Sequence, residues 1–127
     1  LCIADDEQDA LVQVAAVTSV GSLILWPDDT FHRDLAKRLP AAVSGRIQFA
    51  KADNIATQPF DAVIFHGDSD QLRALCEAVA AREGAIVSVQ GFARGESNIL
   101  LERLYIERSL SVNTAAAGGN ASLMTIG

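Results

Sequence analysis

The sequence predicts an α/β fold in which helices cover the faces of a mostly parallel β-sheet. Short apolar runs alternate with amphipathic segments, and the runs are rich in β-branched residues and almost uninterrupted by polar ones. Strands of a parallel sheet have this composition because both of their faces are buried. With 127 residues, 50% of them hydrophobic, the chain is long enough for one domain with its own core.

The first predicted elements are a helix over residues 5–21 and a strand over 22–26. Acidic residues crowd the first turn of the helix, where the helix dipole favours them, and Gly21 marks its end. The strand SLILW is a short apolar run that ends before Pro27. The predicted apolar face of the helix consists of Leu11, Val12, Ala15, Ala16 and Val20.

The next two elements are a second helix and a second strand. Asp28, Asp29 or Thr30 caps the helix, and Pro40 marks its end. Its apolar positions are Phe31, Leu35 and Leu39. Residues 45–52, GRIQFAKA, form the second predicted strand.

A strand, a helix and a further strand follow in the second half of the chain. The strand lies within residues 58–67, with DAVIF at its centre, and the last strand covers residues 85–90. The helix begins at a cap formed by Asp68 or Ser69 and stops at Gly84. Its apolar face consists of Leu72, Leu75, Cys76 and Val79. Residues 100–112 fit either a helix or a strand, and both interpretations stay open.

Composition excludes several kinds of partner. The net charge of -6 argues against binding to nucleic acid and to anionic membranes, which both need a basic surface. No apolar run is long enough to insert into a bilayer. Cys2 and Cys76 lack the spacing of a zinc site, and we expect two reduced thiols in a cytoplasmic protein. Because the chain starts with Leu1, we expect it to be a piece of a longer protein.

The sequence contains no recognisable cofactor motif. A dinucleotide site needs glycines in the turn after the first strand, but PDDTFH follows LILW. Asp28 and Asp29 there resemble the acidic pair of receiver domains, but the acceptor aspartate and the lysine of that family have no counterpart. His66 is a catalytic candidate by position alone, at the end of a strand, and a structural role is favoured; His32 is predicted on a helix surface.

The end of the chain is uncharged and rich in alanine, glycine and asparagine. Small residues let a backbone approach another surface closely, and the apolar side chains among them are suited to filling pockets. The sequence LLERLYIERSLSVNTAAAGGNASLMTIG strongly resembles the C-terminal end of long proteins of the proline utilization A family. Residues 1–92 resemble, more weakly, the C-terminal domain of those proteins.

The resemblance implies a Rossmann-like fold of the aldehyde dehydrogenase superfamily, followed by an extended C-terminal tail. It divides the chain into a non-catalytic domain, residues 1–108, and a docking motif, residues 109–127. The parent proteins oxidise proline with FAD and glutamate semialdehyde with NAD, in the cytoplasm or peripherally at a membrane. This domain is implied to cover the cavity through which the intermediate passes, and to contribute no catalytic, cofactor or metal-binding residue of its own.

The implied partner is the aldehyde dehydrogenase domain of the same polypeptide, with a homo-oligomer as a further possibility. A stand-alone nucleotide-binding or receiver-like module is the alternative hypothesis. The residues assigned to docking are Asn113, Thr114, Ala115, Ala116, Ala117, Gly118, Gly119, Asn120, Ala121, Ser122, Leu123, Met124, Thr125, Ile126 and Gly127.

Overall fold

The structure is a computed structural model that describes residues 1–105. Its strand pairs are all parallel within these residues: β1 pairs with β4, β4 with β5, and β2 with β3. Strands β1 and β2 lie side by side without a hydrogen-bonded ladder, which gives the order β3-β2-β1-β4-β5. The strands are β1 (Cys2–Ile3), β2 (Ile24–Pro27), β3 (Ile47–Ala50), β4 (Ala62–His66) and β5 (Ser88–Phe92).

Helices connect these strands, and the predicted α/β class with a parallel sheet is confirmed. The spatial order is that of doubly wound nucleotide-binding folds, in which the chain runs outward from a central strand in both directions. The helices are α1 (Glu7–Ser19), α2 (Thr30–Arg38), α3 (Ala41–Ser44) and α4 (Ser69–Ala80), with 3-10 helices at Ala52–Thr57 and Leu101–Leu104.

Strand β1 was not predicted from the sequence, and the bounds of other strands differ from prediction. Two residues are too short a run to give a periodic signal, although β1 is held firmly between β2 and β4. The last strand begins at Ser88, three residues later than predicted, and leaves Ile86 fully exposed. Residue 52, assigned to a strand by its sequence, belongs to a 3-10 helix.

Helix α1 buries a different face from the one predicted. Its buried residues are Asp9, Ala10, Gln13, Val14 and Val17. Of the predicted face, Leu11 and Ala15 are exposed, and Val12, Ala16 and Val20 are only half-buried. Apolar residues occupy so many positions of this helix that their spacing fits two faces, and two polar side chains on the buried face are held by hydrogen bonds.

The core lies between α1, α2 and the strands, with an aromatic group at its centre. Trp26 is fully buried on β2, and its ring centroid lies 5.1 Å from that of His32 and 6.4 Å from that of Phe49. Leu35 packs into the same core from α2, as its helical spacing predicts. The prediction that His32 lies on the surface is wrong, because its ring fills space beside the tryptophan.

Helix α4 begins at the predicted cap. The Asp68 side chain accepts hydrogen bonds from the backbone of Asp70 and Gln71, and the Gln71 side chain accepts from the Asp68 backbone N–H. The helix ends at Ala80, before the predicted Gly84. It packs closely on β5, since a Cβ atom at Gly91 would lie 2.4 Å from the Leu72 side chain.

Substitutions on α1 test which of its faces is buried. We expect Val14→Ala to lower the free energy of unfolding by roughly 1.5–3 kcal/mol, because it leaves a cavity in the core. Leu11→Ala is the matched control on the outward face, and we expect a change of about 0.5 kcal/mol or less. Urea unfolding of both variants measures the difference. A larger loss for Leu11→Ala would show that the sequence-based face is the buried one.

Candidate functional site

The predicted docking residues 113–127 lie outside the described residues, as does the predicted boundary between residues 108 and 109. Both stay predictions. Within residues 1–105, two regions are candidates for a functional site, and they lie at opposite ends of the strands. One is the crevice at the carboxyl ends of β1 and β4, and the other is an apolar groove at the amino ends of the strands.

The crevice lies between β1 and β4, where the strand order reverses and where doubly wound sheets bind their ligands. The turn that would contact a pyrophosphate therefore follows β1 and consists of Ala4, Asp5 and Asp6. The prediction that this turn follows β2 is wrong, because β1 precedes β2 in the chain and gives no periodic signal in the sequence. The turn after β1 also contains no glycine and carries two carboxylates.

A carboxylate already occupies the amino end of α1. The Asp6 Oδ1 atom accepts a hydrogen bond from the Gln8 backbone N–H at 2.8 Å and one from the Asp9 N–H at 3.4 Å. In nucleotide-binding domains the corresponding N–H groups face a phosphate. The protein thus supplies its own anion at this position.

His66 lies at the carboxyl end of β4 and is only 2% exposed. Its Nε2 atom is 2.8 Å from the Glu96 carbonyl oxygen, which can only accept, so Nε2 carries the hydrogen. Its Nδ1 atom then accepts from the Gln13 amide nitrogen at 2.8 Å. The ring also stacks on Phe92, with centroids 5.2 Å apart. Both ring nitrogens are engaged within the protein, which gives His66 a structural role.

The Gln13 amide links both sides of the crevice. Besides its contact with His66, the amide nitrogen donates to the Ile3 carbonyl oxygen at the end of β1, at 2.9 Å. Gln13 is fully buried on the second turn of α1. One side chain therefore ties together the two central strands and the helix that connects β1 to β2. Gln13 could not be identified from the sequence, because a single glutamine within a helix belongs to no recognisable motif.

The segment after β5, residues 93–105, crosses the crevice, and we call it the strap. It begins with a tight turn in which the Glu96 N–H donates to the Ala93 carbonyl at 3.2 Å. Gly95 occupies the third position of this turn with a φ of +82°, a conformation that favours glycine. Its N–H donates to Oδ1 of the buried Asp9 at 2.9 Å.

A second polar clamp holds the strap farther along. The Gln90 side chain donates to the Leu100 carbonyl at 3.1 Å and accepts from the Leu100 N–H at 3.0 Å. The Gln90 amide pairs with both backbone groups of Leu100, as a residue of a neighbouring strand would. Ile99 and Leu104 of the strap pack against the core. Polar and apolar contacts together fix the strap on the sheet.

The acidic pair after β2 is used locally. Asp29 caps α2, accepting from the His32 backbone N–H and from the His32 Nδ1 atom, both at 2.8 Å. Asp28 instead forms an ion pair with Arg33, whose guanidinium hydrogen bonds hold the pKa of the Asp28 carboxyl below its usual value. Of the three predicted caps, Asp29 is the one used. Neither carboxylate resembles the free, metal-binding pair of a receiver domain.

The groove at the amino edge encloses about 550 Å³ and is lined mainly by apolar side chains. Leu23, which is 63% exposed, and Phe60 form part of its wall. Tyr105, the last described residue, lies at the same groove and is largely exposed. Exposed apolar side chains of this kind mark surfaces that contact other proteins.

The two cysteines differ sharply in environment. Cys2 is buried in β1, and burial raises the pKa of its thiol to about 11. Cys76 is exposed on α4, and both thiols are free. A nucleophilic cysteine needs a lowered pKa, so Cys2 has the opposite setting.

Residues 1–105 form neither a metal site nor a membrane-spanning helix. Within that range, no three or more His, Cys, Asp and Glu side chains are grouped so as to hold a metal ion. None of the helices in the same range is long and apolar enough to cross a membrane.

Comparison with known proteins relates the chain to one family. The chain is 84% identical over all 127 residues to "Bifunctional protein PutA" of Salmonella typhimurium and 85% identical to that of Escherichia coli. The similarity covers the whole of this chain but only one segment of PutA. It is also 38% identical over 120 residues to the protein of the same name from Rhizobium meliloti.

These matches confirm the resemblance to the proline utilization A family that the C-terminal sequence indicates. The chain spans about 10% of the length of the relatives it matches. No family model matches the chain.

Thiol labelling tests the contrast between the cysteines. With iodoacetamide at pH 8, we expect one equivalent to react in the folded chain, at Cys76, and two after unfolding in urea. The thiolate is the reactive form, and a pKa of about 11 leaves little of it at Cys2 at that pH. Cys76→Ser should abolish labelling of the folded chain. Rapid labelling of Cys2 in that folded variant would contradict the buried position of β1.

Proposed function

We propose that this chain is a non-catalytic lid and docking domain of a bifunctional enzyme that oxidises proline to glutamate. In this proposal the domain covers the cavity through which pyrroline-5-carboxylate and glutamate semialdehyde pass between two active sites. The parent uses FAD for the first oxidation and NAD for the second, in the cytoplasm or peripherally at a membrane. The tail, residues 113–127, docks on the aldehyde dehydrogenase domain of the same polypeptide.

The observation that carries the proposal is the match of the entire chain to about a tenth of PutA proteins. A segment of this size within a bifunctional protein has the remainder of that protein as its nearest partner. The matches include the uncharged tail, whose small and apolar residues suit close contact with another surface.

The crevice of the domain gives independent support. The position that holds a pyrophosphate in related folds is occupied by the Asp6 carboxylate, and His66 has both nitrogens engaged. This arrangement suits a domain that has kept a nucleotide-binding topology for a structural purpose. The function of a fold resides in its sites, and this crevice is arranged for internal packing.

The position of Tyr105 connects the domain to its proposed partner surface. Because Tyr105 lies at the apolar groove, the chain that follows starts from the amino edge of the sheet. The groove and Tyr105, the last described residue before the tail, therefore lie on one side of the domain. We propose that this side faces the rest of the polypeptide.

Removal of residues 113–127 from the full-length parent tests the proposal. We expect proline-dependent NADH formation to gain a lag and to fall about tenfold initially, because the intermediate escapes and is diluted in solvent. Proline oxidation, followed separately with an artificial electron acceptor, should keep its rate. Ile86→Ser is the control, since it removes a fully exposed apolar side chain outside the tail.

Two results would contradict the proposal. Unchanged coupled and separate rates in a folded truncated enzyme would show that the tail is not needed for transfer. A lag of equal size in the Ile86→Ser control would show that the effect is not specific to the tail.

A further inference from the structure

We propose that the strap is a built-in plug of the nucleotide crevice. In this inference its first part, residues 93–100, fills the place where other doubly wound domains hold a dinucleotide. Asp9 and His66 are the positioning residues that hold the plug. The inference deepens the proposed function and rests on it for its biological purpose, because a plugged crevice leaves the domain free for docking alone.

The contacts that hold the strap come from α1, from the end of β4 and from the turn after β1. Asp9, on the first turn of α1, accepts from Gly95, and His66, at the end of β4, donates to Glu96. These two bonds are 2.9 and 2.8 Å long and hold consecutive residues of the strap from opposite sides of the crevice. The exposed Arg94 adds a weaker 3.6 Å ion pair with Asp5 in the turn after β1.

In each of these contacts a hydrogen-bond donor faces an acceptor. A carboxylate accepts from the Gly95 N–H, and the histidine presents its N–H to the Glu96 carbonyl. The tautomer of His66 is set by Gln13, whose amide occupies the other ring nitrogen. Without the Gly95 N–H and the Glu96 carbonyl, the buried side chains of Asp9 and His66 would lose these hydrogen bonds, and an unsatisfied buried polar group is costly.

The conformation of the strap is matched to the positions of Asp9 and His66. Gly95 adopts a φ of +82°, which turns its N–H toward Asp9. Phe92 stacks on the His66 ring immediately before the strap begins. The histidine thus contacts the strap and the strand that leads into it, which fixes where the strap enters the crevice.

Hydrogen exchange followed by mass spectrometry on the 127-residue chain tests the plug. Gly95→Pro removes the N–H that Asp9 accepts and excludes the positive φ, without changing a core residue. We expect exchange of residues 93–100 to rise about tenfold, the effect of losing one net hydrogen bond. Exchange in β2, β3 and α4 should not change. Asn98→Ala is the matched control within the strap, since Asn98 is exposed and takes no part in the anchoring contacts, and we expect it to leave exchange as in the unsubstituted chain.

A pair of substitutions at His66 tests the second anchor. His66→Phe keeps a ring against Phe92 but has no donor for Glu96, so we expect faster exchange of residues 93–100. His66→Gln restores an N–H near the position of Nε2, and we expect it to recover most of the protection. Equal exchange in these two variants would overturn the role of His66 as an anchor.

The following results would overturn the proposal that the strap is a plug. Unchanged exchange of residues 93–100 in Gly95→Pro would overturn it, and so would an equal rise throughout the chain. Slower exchange of residues 4–9 when NAD is added to the unsubstituted chain would show an open crevice and would also overturn it. These readouts do not involve the tail, so failure of the plug is distinguishable from failure of the docking proposal.

Discussion

The described structure depends on one buried hydrogen-bond junction, between Gln13 and His66. The Gln13 amide nitrogen reaches His66 on β4 and the Ile3 carbonyl on β1, so a single side chain joins the two central strands to α1. Because that nitrogen donates, the facing histidine nitrogen must accept, and the other must donate to Glu96. The tautomer, the end of β4 and the path of the strap are thus set together.

This junction explains why the shortest strand can be central. Strand β1 has only two residues, and its own ladder to β4 is brief. The Gln13 bond at its end and the packing of Cys2 and Ala4 in the core hold it in place. Short strands in a parallel sheet gain most of their stability from such packing on both faces. A buried polar bond adds direction to packing, which alone would tolerate shifts in register.

Local chemistry made part of this fold predictable. Asp68 and Gln71 form a capping box whose spacing is visible in the sequence, and the helix begins where that spacing indicates. Leu35 is buried as its helical spacing predicts. The α/β class follows from apolar runs between amphipathic segments. Each of these signals lies within a few residues, so no knowledge of distant contacts is needed.

What could not be predicted depends on contacts between distant residues. Gln13 and His66 are 53 positions apart, and Asp9 and Gly95 are 86 apart. These pairs favour burial of the α1 face that carries two polar residues among its apolar ones, whereas apolar spacing predicted another face. His32 was wrongly assigned to the surface for a different reason: its partner Trp26 is near in sequence but lies on another element, β2. The docking residues 113–127 lie beyond the described part of the chain and stay predictions.

The acidic residues of the crevice are the physical reason why it differs in charge from the phosphate-binding turn of nucleotide-binding domains with the same topology. A helix amino end attracts anions, and Asp6 satisfies that attraction without an external ligand. Asp9 then uses its carboxylate for the strap. A phosphate brought to the carboxyl ends of these strands would meet the carboxylates of Asp5, Asp6 and Asp9, and like charges repel. The same carboxylates that would repel a nucleotide cap the helix and hold the strap, so the composition of this turn and the stability of the domain have a common cause.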